Sequence, residues 1–198
     1  VERTEVELLR LLANTPLQIR PTFVYFDKHK SSSNQDHFDE FYKPISKVEE
    51  AGLDGLIITG ANLEDRPFED VHYWKELTAL MDWAHEHVTS TIYSCWAAHA
   101  KLYHQYGIPP HANKEKVIGI FKHHVHHETG SPFLLGMDDE IFVPHARWRG
   151  PENKDFAGRS EFQILIDSEE VGPHLVAGRG GREIYAQGHP EYSRNDIA

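Results

Sequence analysis

The chain has 198 residues, 39% of them hydrophobic, and 20 basic against 31 acidic side chains give a formal charge of −11. That length suits one domain, an acidic balance without a basic stripe argues against a nucleic-acid partner, and no apolar run approaches the roughly 20 residues of a membrane span. The single cysteine excludes an internal disulfide and suits a reducing, cytoplasmic setting.

Glu2 to Leu12 has helical periodicity: Val6, Leu9 and Ala13 share a face that Leu8 and Leu12 widen, and Asn14-Thr15-Pro16 ends it. Leu17 to Phe26 reads as strand. Lys28 to His37 is polar and Ser-rich, so a loop is predicted. Phe38 to Tyr42 and Ile45 to Ala51 read as short helical pieces. Leu53 to Gly60 is a continuous apolar run, as in a central parallel strand covered on both faces, and it stops in a tight Gly60-Ala61-Asn62 loop. Phe68 to His87 predicts a helix, because Val71, Trp74, Leu77, Met81 and Ala84 recur every three or four residues.

Thr91-Ile92-Tyr93 favours a short buried strand, and from Trp96 the composition favours helix, closed by Gly107 with Pro109-Pro110 beyond. Shorter strands are predicted at Val117–Phe121, Phe142–His145, Glu161–Asp167, Leu175–Gly181 and Glu183–Gln187. The last runs into Gly188-His189-Pro190-Glu191-Tyr192. The pattern is that of an α/β domain with a mostly parallel sheet and antiparallel additions in its C-terminal half.

Cys95 falls where strand gives way to helix. A helix N-terminus offers free N–H groups and a positive dipole end, which favour a thiolate. A cysteine nucleophile needs a base, and the base an orienting group. His189 leaves a strand at the same predicted sheet edge, and in an extended segment Glu191 projects to the same side. Cys95, His189 and Glu191 are therefore the predicted catalytic set. Four histidines at 123, 124, 126 and 127 invite a metal reading, but successive strand residues point apart, so no metal is expected. Gly178-Arg179-Gly180-Gly181 lacks a following helix and reads as a turn rather than a phosphate loop.

Several blocks, in order along almost the whole chain, carry a family resemblance. They are Thr59-Gly60-Ala61, Phe68 to Trp74, His87 to Thr91, Cys95-Trp96-Ala97, Tyr106-Gly107-Ile108-Pro109, Glu115-Lys116, Pro144-His145-Ala146-Arg147 and Gly188 to Tyr192, with Leu8 to Gln18 earlier. The chain resembles the homoserine O-acyltransferases: the O-succinyl- and O-acetyltransferases with a class I glutamine amidotransferase-like, flavodoxin-like fold that carries helices on both sheet faces. The resemblance implies a ping-pong reaction of methionine or cysteine biosynthesis. Cys95 would hold the acyl group of an acyl-CoA as a thioester, His189 would deprotonate the acceptor hydroxyl, and Glu191 would orient His189. The Trp96 amide and one from the Gly60–Ala61 loop would hold the oxyanion.

The resemblance also makes Lys116 a substrate-binding lysine and places Ala146 and Arg147 at the acceptor. Glu64 falls at the position that separates acetyl from succinyl donors. A carboxylate there repels the succinyl carboxylate, so acetyl-CoA is the expected donor, with no cofactor. Ala146 stands where the family usually has a Ser that contacts the acceptor, and Asn62 where it has Pro. Homoserine is the expected acceptor, and L-serine or a succinyl donor is the alternative. A glutamine amidotransferase-like hydrolase is more distant, since Tyr93 and Ala97 stand where its nucleophile loop wants Gly. One acyltransferase domain over 1–198 is expected, lacking the N-terminal strand and C-terminal region of the full-length family. A homodimer is expected as well.

Overall fold

The computed structural model describes residues 2–27, 35–61, 63 and 66–192. In order it contains α1 (Glu2–Leu12), β1 (Phe23–Tyr25), α2 (Gln35–Phe41), β2 (Tyr42–Pro44), α3 (Ile45–Ala51) and β3 (Gly55–Ile58). There follow α4 (Trp74–His87), β4 (Ser90–Ser94), α5 (Trp96–Tyr106), β5 (His111–Val125), β6 (Glu140–Gly150), β7 (Phe162–Ser168), β8 (Gly172–Gly178) and β9 (Glu183–Ala186). Seven strands form one sheet in the order β3-β4-β9-β8-β7-β5-β6, and β1 and β2 pair separately. The sheet is parallel through β3, β4 and β9, and every later pairing is antiparallel. This is the expected α/β class, but the sheet is mixed rather than mostly parallel: the antiparallel additions are four strands wide and outnumber the three parallel strands. No described helix is long and apolar enough to cross a membrane.

The parallel pairing places the site. Ser94 lies opposite Ala186 in the β4–β9 register, so Cys95 and Gln187 leave the sheet side by side. Beneath them Tyr93 and Tyr185, both fully buried, stack at 5.6 Å and 15°. Such a pair contributes about 0.5–1.5 kcal/mol beyond its buried area. Leu77, Met81, Trp96 and Leu102 complete this core.

Several elements depart from their predicted form. In α1 the predicted face is rotated: Val6 is 64% exposed, whereas Glu5 and Glu7 are buried. Glu5 turns inward because its carboxylate accepts the Tyr42 hydroxyl at 2.5 Å and meets His37 Nε2 at 3.0 Å. The Leu17–Phe26 strand contracts to β1, with Leu17 and Ile19 exposed. Of the predicted Lys28–His37 loop, Gln35–His37 begins α2, and 28–34 lies outside the described residues.

The Leu53–Gly60 run forms β3, but at the sheet edge rather than its centre. Its apolar character is met by cover, since Leu56 packs with Ile45, Val48, Leu80 and Ala84 from α3 and α4. The Phe68–His87 helix is interrupted. Phe68–Asp70 is one 3-10 turn, Val71 is extended, and α4 starts at Trp74. The break lets Phe68 pack its ring on Trp74, Trp96 and Tyr103. The short strands predicted near 117 and 142 are arms of one long β5–β6 hairpin. Its alternation is masked where the register jumps between Ala112 and Val117.

Candidate active site

Cys95 sits at the elbow between β4 and α5 with φ 49° and ψ −116°, a conformation that non-glycine residues rarely adopt and that is held here by its surroundings. Its N–H donates to Ala186 O at 2.7 Å, and its carbonyl accepts from Ala98 N (2.9 Å) and His99 N (3.3 Å). The elbow is thereby tied to β9 and to the first turn of α5. The amides that open a helix have no intrahelical acceptor, so Trp96 N–H is free to face an oxyanion. The loop after β3 lies directly on this elbow. A Cβ at Gly60 would stand 3.2 Å from Cys95 Cβ and 3.5 Å from Trp96 N, so a side chain there would press on the elbow. Ala61, next in that loop, lines the cavity beside Cys95.

His189 follows β9. Its Nδ1 meets Glu191 Oε1 at 2.8 Å, and its ring stacks on Tyr192 at 4.2 Å and 8°. The Cys95 side chain lines the same cleft as His189 and Glu191. Burial by itself lowers the imidazole pKa, but the hydrogen bonds and charges of Cys95 and Glu191 outweigh it and raise His189 to about 9. Cys95, His189 and Glu191 line one cleft, and the Glu191 carboxylate holds one nitrogen of the His189 ring.

These residues open on a cleft of about 1100 Å³ that Lys116, Ala146 and Ala61 also line. The Lys116 ammonium lies 5.8 Å from the centroid of the Trp148 ring. Arg147 occupies a different place. It is buried beside Cys95 in a small cavity next to the cleft. Its guanidinium donates to Arg149 O at 3.2 Å, to Val171 O, and through Nε to His145 Nδ1 at 3.5 Å. Burial lowers its pKa and the nearby Cys95 charge opposes that. Glu64 and Asn62 lie outside the described residues. Gly178–Gly181 is the predicted turn, with a 3-10 helix at Arg179–Gly181 joining β8 to β9.

A layer of histidines behind the base escaped the sequence reading. His145 Nε2 lies 3.1 Å from His123 Nε2, and His123 Nδ1 lies 2.9 Å from Phe121 O. Arginine only donates, so His145 Nδ1 accepts from Arg147. His145 Nε2–H then donates to His123, and His123 Nδ1–H donates to the Phe121 carbonyl. Both rings are neutral. Burial, then Arg147, pulls His145 down to about 2, and burial lowers His123 as well. The available signal was alternation: His123 and Val125 are two apart and share the inner face of β5.

A family model described as homoserine O-succinyltransferase matches residues 1–198. A homoserine O-acetyltransferase from Phocaeicola vulgatus is 44% identical over 191 residues, covering 96% of this chain and 62% of the relative. A homoserine O-succinyltransferase from Pseudoalteromonas translucida is 43% identical over 195 residues, covering 98% and 62%. The chain thus spans about three fifths of the length of these curated relatives. Among solved structures, the glutaminase domain of a Trypanosoma brucei CTPS superposes with a TM-score of 0.60 at 14% identity, covering 99% of this chain and 81% of that one. A glutamine amidotransferase from Thermotoga maritima gives 0.59 at 15%, covering 87% and 76%. At that identity the likeness is one of fold.

Proposed function

The chain belongs to the homoserine O-succinyltransferase family, and on that premise we propose that it transfers an acyl group from coenzyme A through a Cys95 thioester to the hydroxyl of L-homoserine. The observation that carries this is the His189–Glu191 pair lining the same cleft of about 1100 Å³ as Cys95.

The thiolate attacks the thioester carbonyl, and the oxyanion meets Trp96 N–H and an amide of the Gly60–Ala61 loop. Collapse breaks the carbon–sulfur bond to coenzyme A, and imidazolium His189 gives its proton to the departing thiolate. The sulfur of Cys95 is now uncharged, so the charge that raised His189 is gone and the neutral ring can accept a proton. It takes that proton from the acceptor hydroxyl as the oxygen attacks the acyl carbon. Collapse then releases the ester and restores the thiolate–imidazolium pair. Exchange between thioesters is close to isoenergetic, which suits sulfur as the temporary carrier. Glu191 keeps Nδ1 protonated throughout, so the ring always works through the nitrogen that faces the sulfur.

Acetyl-CoA is the proposed donor, from the carboxylate of Glu64. Lys116, lining the cleft, is placed to meet an anionic substrate group, and Ala146 lines the same cleft without a hydroxyl. That missing hydroxyl makes L-serine the competing acceptor. The test crosses acetyl- and succinyl-CoA with homoserine and serine in four assays. Turnover of acetyl-CoA with homoserine above the other three supports the proposal, and glutamine hydrolysis without acyl-CoA turnover contradicts it.

A further inference from the structure

We propose that His174 is a positioning residue for His189, acting by holding the two amides that precede it. His174 lies in β8, beside β9, and is buried. Its carbonyl accepts Gln187 N–H at 2.8 Å, and its ring Nδ1 accepts Gly188 N–H at 3.1 Å. The next amide, His189 N–H, donates to Pro144 O of β6 at 2.9 Å. Three consecutive amides are thereby tied to β8 and β6, and the direction in which the His189 ring leaves the chain is set. Close packing reinforces the grip: a Cβ at Gly188 would stand 2.5 Å from Val143 Cγ1 and 2.8 Å from Pro144 O.

An apolar side chain at 174 would leave the buried Gly188 N–H without an acceptor. The ring can accept only while Nδ1 is unprotonated, and burial, with the neighbouring His123 and His189, pulls His174 down to about 3. Its role is distinct from those of the groups that face His189 directly: Cys95 at the head of α5, Glu191 and Tyr192 on its own segment, and His145 of β6, with Arg147 beyond the sulfur.

The inference rests on His189 acting as the base, and its test is separable from acyl transfer. His174→Leu removes the acceptor, and His174→Asn restores one. Two readouts are followed: steady-state kinetics, and the pH dependence of Cys95 alkylation by iodoacetamide, which needs no acyl donor. His174→Leu should lower kcat about 100-fold with KM little changed, as a misplacement near 1 Å does. It should also change the pH profile of Cys95 alkylation, because the imidazole proposed to activate the sulfur is displaced. His174→Asn should return both most of the way. Equal behaviour of wild type and His174→Leu, or of the two variants, overturns the inference. If the leucine variant does not fold, the imidazole nitrogen-15 shifts of the wild-type protein decide. A His174 protonated on Nε2 alone is expected, and one carrying its proton on Nδ1 overturns the inference.

Discussion

At the residue scale, Glu191 meets His189 Nδ1 at 2.8 Å, and in the proposed mechanism its one task is to keep the proton there. Glu191→Gln keeps the shape and can present its amide N–H to Nδ1, which favours the wrong tautomer. Its kcat should fall about 10⁴-fold, as for the equivalent change in a serine triad, with the fold intact by circular dichroism. A fall of less than tenfold would remove Glu191 from the mechanism. Lys116 lines the cleft with its ammonium over the Trp148 face, and the proposed function assigns it to binding rather than chemistry. Lys116→Met should therefore raise KM about tenfold or more while leaving the rate of Cys95 acylation at saturating donor within a few-fold. The reverse split would place it in the chemical step.

α5 follows Cys95 and β9 precedes His189, and away from the cleft a buried ion pair joins the two elements. Lys101 of α5 lies 3.5 Å from Glu183 of β9, both essentially without solvent contact. Glu183 also accepts the Tyr185 hydroxyl at 2.7 Å and meets His85 Nδ1 at 2.8 Å. Lys101→Met strands a buried carboxylate and should cost about 3–5 kcal/mol in urea unfolding. A cost below about 1 kcal/mol would mean that Glu183 is already satisfied by its hydroxyl and histidine partners.

The elements also show what a sequence reveals. β4, the Cys95 elbow and α5 were legible, because β-branched residues, helix formers and a glycine cap follow in unbroken order. β3 was recognised as a strand, but an apolar run does not say where in the sheet it lies: here it is an edge strand with Leu56 buried against α3 and α4 and with Ile57 and Ile58 half-buried. The interruption at Val71–Tyr73 was invisible, since helical spacing persists across it and only the packing of Phe68 demands the break. That Cys95, His189 and Glu191 line one cleft was legible from their places at element ends. The tying of Gln187 and Gly188 to His174 was not, because a contact between β8 and β9 has no local sequence signature.

The histidines set the pH behaviour of the whole molecule. Burial pulls His99 to about 3, His145 to about 2 and His174 to about 3, and it lowers His123 too, while His189 rises to about 9 and His126 also rises. Below about pH 6.5 the unfolded chain protonates the first four while the native state does not, so stability falls with acid by about 1.4 kcal/mol per pH unit for each proton. Above about 6.5 the native state holds protons on His126 and His189 that the unfolded chain has lost, so that stabilisation disappears as pH rises through about 9. Urea midpoints should accordingly peak near pH 6.5 and fall on both sides. A flat profile from pH 5 to 9 would show that the buried histidines are solvated.

The acyl-enzyme itself is the most direct point of decision. Protein is mixed with acetyl-CoA without acceptor, quenched in acid, digested and weighed by mass spectrometry. One acetyl group on the peptide that carries Cys95, lost on addition of homoserine and never formed in Cys95→Ala, is the predicted result. An unmodified Cys95 under conditions where acetyl transfer to homoserine proceeds would contradict the account, because the acyl group would then be crossing without passing through the sulfur.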